Sequence, residues 1–443
     1  MRVVGFAVSA LVWLVCILEI AFFKMRSEVS DLQWLYAGAF IGFVGAAIFA
    51  SRIEKFRIWI VFGLGLAIRI ALIFAVPNLS DDYYRFTWDA HVHAQGISPF
   101  EFTPEEYLEA FPEDQKAQEL FAANSENFRT GMNSKRFYSV YPAINQWVYQ
   151  ISFAIGSPNE GNLIVMKIIM VLFEVLSFFL IARILSLLGR PELSISWYWL
   201  NPLVIIEFVG NLHFEGIAMA FLLFGFYHLL KKNSWNSAVG VGLAIATKIN
   251  PMFLAMVSLK EWKFKRLILW GAIIAFVSTI LFLIYPGVSY VENYRKSLRL
   301  YVYVFQFNDM PLNLLYMIRH IIGGKTIGVV LTILPIIAML AILSLNFLKV
   351  QWKASERMIL AYAIFFLLST TVMPWYILMM LPFAVFSKWK SPIIWTYTIF
   401  WTYYFYDPEG SGQIDWVVCA EYVILIGTLI YDILNHRRKH RAL

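Results

Sequence analysis

Arg69-Ile-Ala-Leu-Ile-Phe-Ala-Val-Pro-Asn-Leu-Ser-Asp-Asp-Tyr-Tyr-Arg85 carries the chain from a hydrophobic segment into a long polar loop. Asp81 and Asp82 stand at that edge. Ionised side chains near hydrocarbon are costly, so those that persist there are candidates for function. Two adjacent carboxylates at a water–lipid boundary are placed to take a proton from a hydroxyl.

The rest of the sequence makes that boundary a membrane. Of the 443 residues 60% are hydrophobic, 17% aromatic and only 15% charged. A soluble domain carries about 25% charged residues. Apolar runs approaching the roughly 20 residues that cross a bilayer recur from end to end. The expected fold class is therefore all-α, a polytopic transmembrane helical bundle. Spans are predicted near 4–23, 33–50, 58–77, 162–187, 193–208, 214–230, 267–285, 326–348, 357–372, 375–387, 391–407 and 416–434. The first has one Arg and no small-residue cleavage site, which predicts an uncleaved span. A net charge of +7 is read as loop charge setting orientation, and no nucleic-acid partner is expected. Cys16 and Cys419 both lie in apolar runs, so neither a disulfide framework nor a thiolate metal site follows.

Orientation comes from the basic residues, which are retained on the cytoplasmic side. Arg52/Lys55/Arg57, Lys231/Lys232, Lys260/Lys263/Lys265/Arg266, Lys349/Lys353/Arg357, Lys388/Lys390 and the tail Arg437/Arg438/Lys439/Arg441 form one set. All share a face if Tyr141–Gly156 lies along or dips into the outer surface. Val239–Val257 must also enter and leave from the cytoplasm. A break at Asn250-Pro251 suits that hairpin, because Pro removes a donor and disfavours helix before it. The resulting plan has about twelve spans with both termini cytoplasmic. Its parts are extra amino-terminal spans (1–57), a module holding the outer loop 78–140 and the re-entrant hairpin 239–257 (58–260), and carboxy-terminal spans with outer loop 286–325 (261–443). In the first loop, Thr103-Pro104-Glu105-Glu106 reads as an N-cap, a Pro at the first helical position and a capping-box Glu. It predicts one or two short membrane-surface helices.

Four constellations carry chemistry. In Ser80-Asp81-Asp82-Tyr83-Tyr84-Arg85-Phe86-Thr87-Trp88-Asp89-Ala90-His91, carboxylate repulsion is expected to raise one pKa and make a better base. Arg85 is placed to pair with the acid or hold a phosphate. The plainer alternative is a helix-capping Asp with solvated neighbours. Glu207-Phe-Val-Gly-Asn211-Leu-His213-Phe-Glu215 can line a polar site or make an interhelical network. His213 and Glu215 lack the i, i+4 spacing of a helical zinc motif. Lys248 needs a partner, a carboxylate or a bound phosphate, unless it snorkels. Tyr290, Tyr294, Arg295, Lys296, Arg299, Tyr301 and Tyr303 interleave rings and charge suited to a sugar phosphate, and Met373-Pro-Trp375-Tyr376 adds aromatics. An interfacial aromatic belt explains these tyrosines and Trp equally. Arg69, Lys167, Glu174 and Arg183 are expected to pair within the membrane or snorkel.

Taken in order, Asp81-Asp82-Tyr83-Tyr84-Arg85…Trp88-Asp89…Gly96…Pro99-Phe100, Tyr141-Pro142, Asn201-Pro202…Glu207…Gly210-Asn211-Leu-His213-Phe-Glu215, Lys248…Pro251 and Pro374-Trp375-Tyr376 resemble the polytopic GT-C glycosyltransferases. The likeness spans about residues 58–390 and is to bacterial mannosyltransferase-like members that use polyprenyl-phosphate sugars. Two spans ahead of the loop, and Ala90 after Asp89 where Gly is usual, depart from the pattern. The resemblance implies inverting sugar transfer, with mannose the expected sugar, from a polyprenyl-phosphate donor to a glycan, lipid or protein acceptor. It places the reaction on the outer face of a bacterial plasma membrane, with Asp81 or Asp82 as base. Expected substrate contacts are Arg85, Asp89, His213, Glu215, Lys248, Arg295, Arg299, Trp375 and Tyr376. A lipid-linked monophosphate has little charge to neutralise, so basic side chains suffice, and no metal or cofactor is expected. The rival reading is a multispan transporter or a flippase of lipid-linked glycans. Transporters often show inverted repeats and paired broken helices, whereas this sequence has one broken hairpin and no repeat.

Overall fold

Two long apolar helices open the chain, α1 (Arg2–Phe23) and α2 (Val29–Ala50), and fold back on each other as a hairpin. Small residues let their backbones approach: a Cβ on Gly42 would stand 2.6 Å from the Trp13 backbone nitrogen. In this computed structural model the chain is described over residues 2–52, 57–122, 132, 134–156, 160–281, 291–297, 306–309, 324–348, 352–407 and 415–441. Side-chain donors lock the hairpin to the main bundle. Trp13 Nε1 donates to Leu200 O at 2.8 Å, Gln33 Nε2 to Phe400 O at 3.0 Å, and the Tyr36 hydroxyl to Thr396 O at 2.5 Å.

Next come α3 (Arg57–Leu72), α4 (Asp82–Ala94), α5 (Pro104–Ala110), α6 (Gln115–Ala122), α7 (Ala143–Gly156) and α8 (Glu160–Leu187). The α5 start follows its sequence signal: Thr103 Oγ1 accepts from Glu106 N at 3.2 Å, and Glu106 Oε2 accepts from Thr103 N at 2.8 Å. The described residues are helical apart from turns and a single two-residue bridge, Phe307 with Thr371. At 1.5 Å per residue, 28-residue α8 is about 42 Å long, more than a hydrocarbon core. Among the described residues, four helices are long and apolar enough to cross a membrane: α1, α2, Gly161–Leu187 and Trp416–Arg438. Shorter apolar helices stand at Ile58–Leu72, Glu215–Leu230, Thr332–Ser344 and Tyr376–Ser387. Among the described residues, length and hydropathy account for four crossings, or five if the bent pair is one span; the expectation of about twelve is not confirmed by this count. Leu11, Ile41, Phe74, Leu172, Phe276 and Val423 are exposed, an apolar periphery suited to lipid.

One expected span is broken. Residues 193–208 read as a single segment, yet Glu192–Trp199 and Pro202–Gly210 are bent by 54°. Pro202 cannot donate, and the Asn201 side chain accepts from Leu203 N at 3.0 Å, starting a new helix. That second piece widens into a π-helical turn at Ile205–Gly210, which delivers Glu207 and the turn before His213 to the site.

Charges inside the apolar bundle are paired, as expected of Arg69, Lys167 and Glu174. Arg69 meets Glu174 at 2.9 Å with both fully buried, and Tyr198 donates to the same carboxylate at 2.8 Å. Lys167 donates to Leu72 O at 3.0 Å, Gly210 O at 2.8 Å and Ala75 O. It therefore ties the end of α3, which leads to Asp81, to the turn that leads to His213.

Helix ends separate two polar regions. Glu215 begins the helix Glu215–Leu230, about 24 Å long, and Lys231/Lys232 follow its other end. At that basic end Glu261 pairs with Lys232 at 2.7 Å and Arg357 at 2.5 Å. The helix Ser234–Ile245 runs from the basic end toward Glu215, the chain breaks at residues 246–251, and Met252–Val257 returns toward Glu261. Lys248 occupies the tip of this hairpin.

Candidate active site

Asp81 and Asp82 sit where the α3 exit meets the start of α4. Leu79 N donates to Asn211 Oδ1 at 3.1 Å, which fixes this corner against the turn 211–214. Asp81 occupies the N-cap position of α4, but its side chain makes no capping bond. Instead Arg26 Nη2, from the α1–α2 turn, donates to Asp81 Oδ2 at 2.6 Å. Burial pushes the Asp81 carboxyl above its ordinary value, the Arg26 charge pulls it back, and Asp82 adds a lesser push. Repulsion between the two carboxylates, expected as the cause, is therefore subordinate to desolvation.

Asp82 faces the other way, into a cavity of about 370 Å³. Its lining includes Asp82, Tyr141, Glu215, Lys248, Asn250, Trp375 and Tyr376, with the hydroxyl residues Ser369, Thr370 and Thr371. Pro335, Ala338, Phe365, Phe366 and Leu368 are among its apolar lining. Asp82 is 28% exposed, whereas Glu215 is 1% exposed and lies 2.8 Å from Lys248 Nζ. Tyr141 and Tyr376 flank the ammonium, with ring centres at 5.9 and 5.7 Å. The cavity thus brings together a solvent-reaching carboxylate, an ammonium and apolar side chains.

His213 adjoins this lining. Its Nδ1 is 4.0 Å from Asp82 Oδ2, its Nε2 is 3.3 Å from Glu207 Oε2, and its ring stacks on Trp375 at 3.6 Å. Leu212 takes a left-handed φ of 63° to make the turn, strain of a kind found beside functional sites. Glu207 is fully buried and accepts from the Tyr403 hydroxyl at 2.7 Å and Asn211 Nδ2 at 3.3 Å. Trp375 and Tyr376 open the helical segment Tyr376–Ser387.

Six of the residues singled out in the sequence therefore converge: Asp82, His213, Glu215, Lys248, Trp375 and Tyr376. Others are placed elsewhere. Arg85 Nε donates to Asp89 Oδ1 at 2.6 Å, and its Nη1 to Phe137 O at 2.7 Å. Asp89 also accepts from Ser139 Oγ at 2.5 Å and Gln146 Nε2 at 2.7 Å. These two side chains tie α4 to the loop 134–139 and to α7, and neither lines the cavity. Arg295 is exposed on the helical residues 291–297, and Arg299 lies outside the described residues. Arg26 and Tyr403 were not anticipated. Arg26 lies between the first two apolar runs, with no motif around it. Among the described residues, no three of His, Cys, Asp and Glu are grouped to hold a metal ion.

An all-helical bundle with an apolar periphery and a charged cavity at one set of helix ends defines a membrane protein whose cavity is suited to chemistry on an amphiphile. Residues 33–262, over half of the chain, match the alpha-(1->6)-mannopyranosyltransferase family, N-terminal domain, and the chain belongs to that family. It is a GT-C-type mannosyltransferase, acting with a sugar donor and a glycan acceptor. No curated protein matches it in sequence. The matched stretch contains Asp82, Glu207, His213, Glu215 and Lys248, while Arg26 precedes it and Trp375 follows it.

Proposed function

We propose that this mannosyltransferase takes mannose from a polyprenyl phosphate and transfers it, with inversion, to an acceptor hydroxyl at the outer face of a bacterial plasma membrane. The observation that carries the reading is the mixed lining of one cavity, in which Asp82 and Lys248 occur together with Pro335, Ala338, Phe365, Phe366 and Leu368. A donor with a sugar phosphate head and a prenyl tail needs both charged and apolar contacts. The outer face follows from the basic residues at the far helix ends, which the cytoplasm retains.

Asp82 is the base. It removes the proton from the attacking hydroxyl, the new C1–O bond forms on one face of the sugar, and the bond from C1 to phosphate breaks on the other. The electron pair leaves with the phosphate, toward Lys248. An ammonium already in place costs no reorganisation when that charge develops. Its resting partner is Glu215, so phosphate competes with a buried carboxylate for the same cation. The proton on Asp82 returns to water through the open side of the cavity. His213, held by the Trp375 stack and by Glu207, orients Asp82. Arg85 and Asp89 act only by holding the loop, and Arg295 stays a surface residue.

An α-(1->6) product made with inversion requires a β-linked donor. Purified protein in nanodiscs, given α- or β-linked polyprenyl-phosphate-mannose carrying labelled sugar and a mannoside acceptor, is expected to consume only the β donor and to release polyprenyl phosphate. NMR of the product is expected to show an α linkage to the acceptor 6-hydroxyl. Consumption of the α donor with retained configuration would overturn the single displacement. Movement of intact donor across the bilayer without transfer would favour a flippase.

A further inference from the structure

Arg26 stands outside the matched family region and outside every motif, yet it is pinned from several sides. Asn78 Nδ2 donates to Ile20 O at 2.6 Å and to Lys24 O, joining the α1–α2 turn to the loop before Asp81. Within the turn, Met25 N donates to Glu28 Oε2 at 2.7 Å, and Lys24 pairs with Glu28 at 3.1 Å. The Arg26 guanidinium lies 4.8 Å over the Tyr406 ring and 2.6 Å from Asp81 Oδ2. Arg26 is 15% exposed and Asp81 6%, so the pair is only weakly screened. Three separate stretches of chain thus meet on Asp81: the amino-terminal hairpin, the first large loop and the carboxy-terminal segment ending at Tyr406.

We infer that Arg26 is a positioning residue of the transfer reaction: by engaging Asp81 it leaves Asp82 as the carboxylate turned to the cavity and sets the pH at which Asp82 works. The inference rests on Asp82 being the base. The ionisable groups around the pair are Asp82 and Tyr83 on α4, Glu207 and His213 from the bent segment and its turn, Tyr403 and Tyr406 from the carboxy-terminal side, and Lys24 and Glu28 on the turn itself. Asp81, Asp82 and Glu207 are three acids in one region, and Arg26 is the cation paired directly with one of the two adjacent aspartates. Without Arg26, an ionised Asp81 opposes ionisation of its neighbour. Without Asp81, the freed guanidinium draws Asp82 toward the ionised form and away from the acceptor. The amino-terminal hairpin is then a working part of the enzyme, and truncating it removes the charge that distinguishes the two aspartates.

The test is kcat/KM against pH for the full chain and for R26Q, R26K, D81N and R26Q/D81N, with polyprenyl-phosphate-mannose as donor. The acid limb is expected to move up by about half a unit to one unit in R26Q and down by a similar amount in D81N. R26K is expected to keep the wild-type limb, and the double variant to return to it. A merely structural Arg26 would change yield or unfolding temperature without opposite, cancelling shifts. Superimposable limbs in R26Q and D81N, or shifts that fail to cancel in the double variant, overturn the inference. Should R26Q not fold, the D81N limb decides alone: a downward move supports it, an unmoved limb sinks it. D82N keeps this outcome distinct from failure of the base assignment. If D82N retains transfer, Asp82 is not the base; if D82N is inactive and the limbs stay put, only the role of Arg26 falls.

Discussion

Replacing Lys248 with Met removes the one cation in the described cavity lining. At 2.8 Å from Glu215, and with an effective dielectric of 20, the gross attraction is about 6 kcal/mol. Much of that offsets desolvation, because Lys248 is 22% exposed and Glu215 1%. The stability loss in K248M is therefore the cost of leaving Glu215 buried alone, about 3–5 kcal/mol. The catalytic loss is separate. A preorganised charge aimed at a departing oxyanion is worth about 3–4 kcal/mol, a hundred- to a thousandfold in kcat. Adding Glu215→Gln removes the stranded carboxylate, so E215Q/K248M is expected to recover most of the stability and none of the lost turnover. Thermal unfolding in nanodiscs and steady-state transfer from polyprenyl-phosphate-mannose read the two quantities independently. Wild-type kcat in the double variant would refute a role for Lys248 at the phosphate.

Three other perturbations separate scaffold from site. Asp89→Asn strands buried Arg85, so it is expected to destabilise the protein by about 3 kcal/mol and expose the loop 78–140 to protease, while donor KM of the folded fraction holds. Trp375→Ala removes the 3.6 Å stack on His213 and a ring buried beside Phe307 and Met373, and is expected to lower kcat/KM about two- to tenfold and to destabilise the protein by about 3 kcal/mol. Arg26→Gln also has a pH signature in stability. Burial already holds the folded-state Asp81 carboxyl above its unfolded value, and losing Arg26 raises it further. The folded variant then binds more protons than the unfolded chain between those two values, so its stability falls as pH rises through that window. Unfolding at pH 7.5 is expected to show a deficit of about 2–3 kcal/mol against wild type, closing toward pH 4.

Much of the helical plan was legible because apolar length is a local property. The helix break between Ile245 and Met252 was legible as well, since Asn250-Pro251 disfavours helix wherever it occurs. Asp82, Glu215 and Lys248 stood out as ionisable groups at apolar boundaries, and the cavity gathers them. The bend at Asn201-Pro202 was missed by reading 193–208 for hydropathy alone, although the same Asn-Pro logic applies there. What sequence could not reveal is partnership across distance. Arg26 meets Asp81 over 55 positions, and Tyr403 meets Glu207 over 196. Arg85 and Asp89 show the opposite failure. Their charges looked available for substrate, but an i, i+4 spacing on α4 lets each satisfy the other.

The sharpest measurement is single-turnover transfer of labelled mannose by D82N beside D81N, with donor affinity determined on the same preparations. Loss of a general base is expected to slow D82N by about a hundred- to ten-thousandfold at unchanged donor affinity, while D81N still turns over with a displaced pH profile. A D82N rate within a fewfold of wild type would contradict the assignment of Asp82 as the proton acceptor.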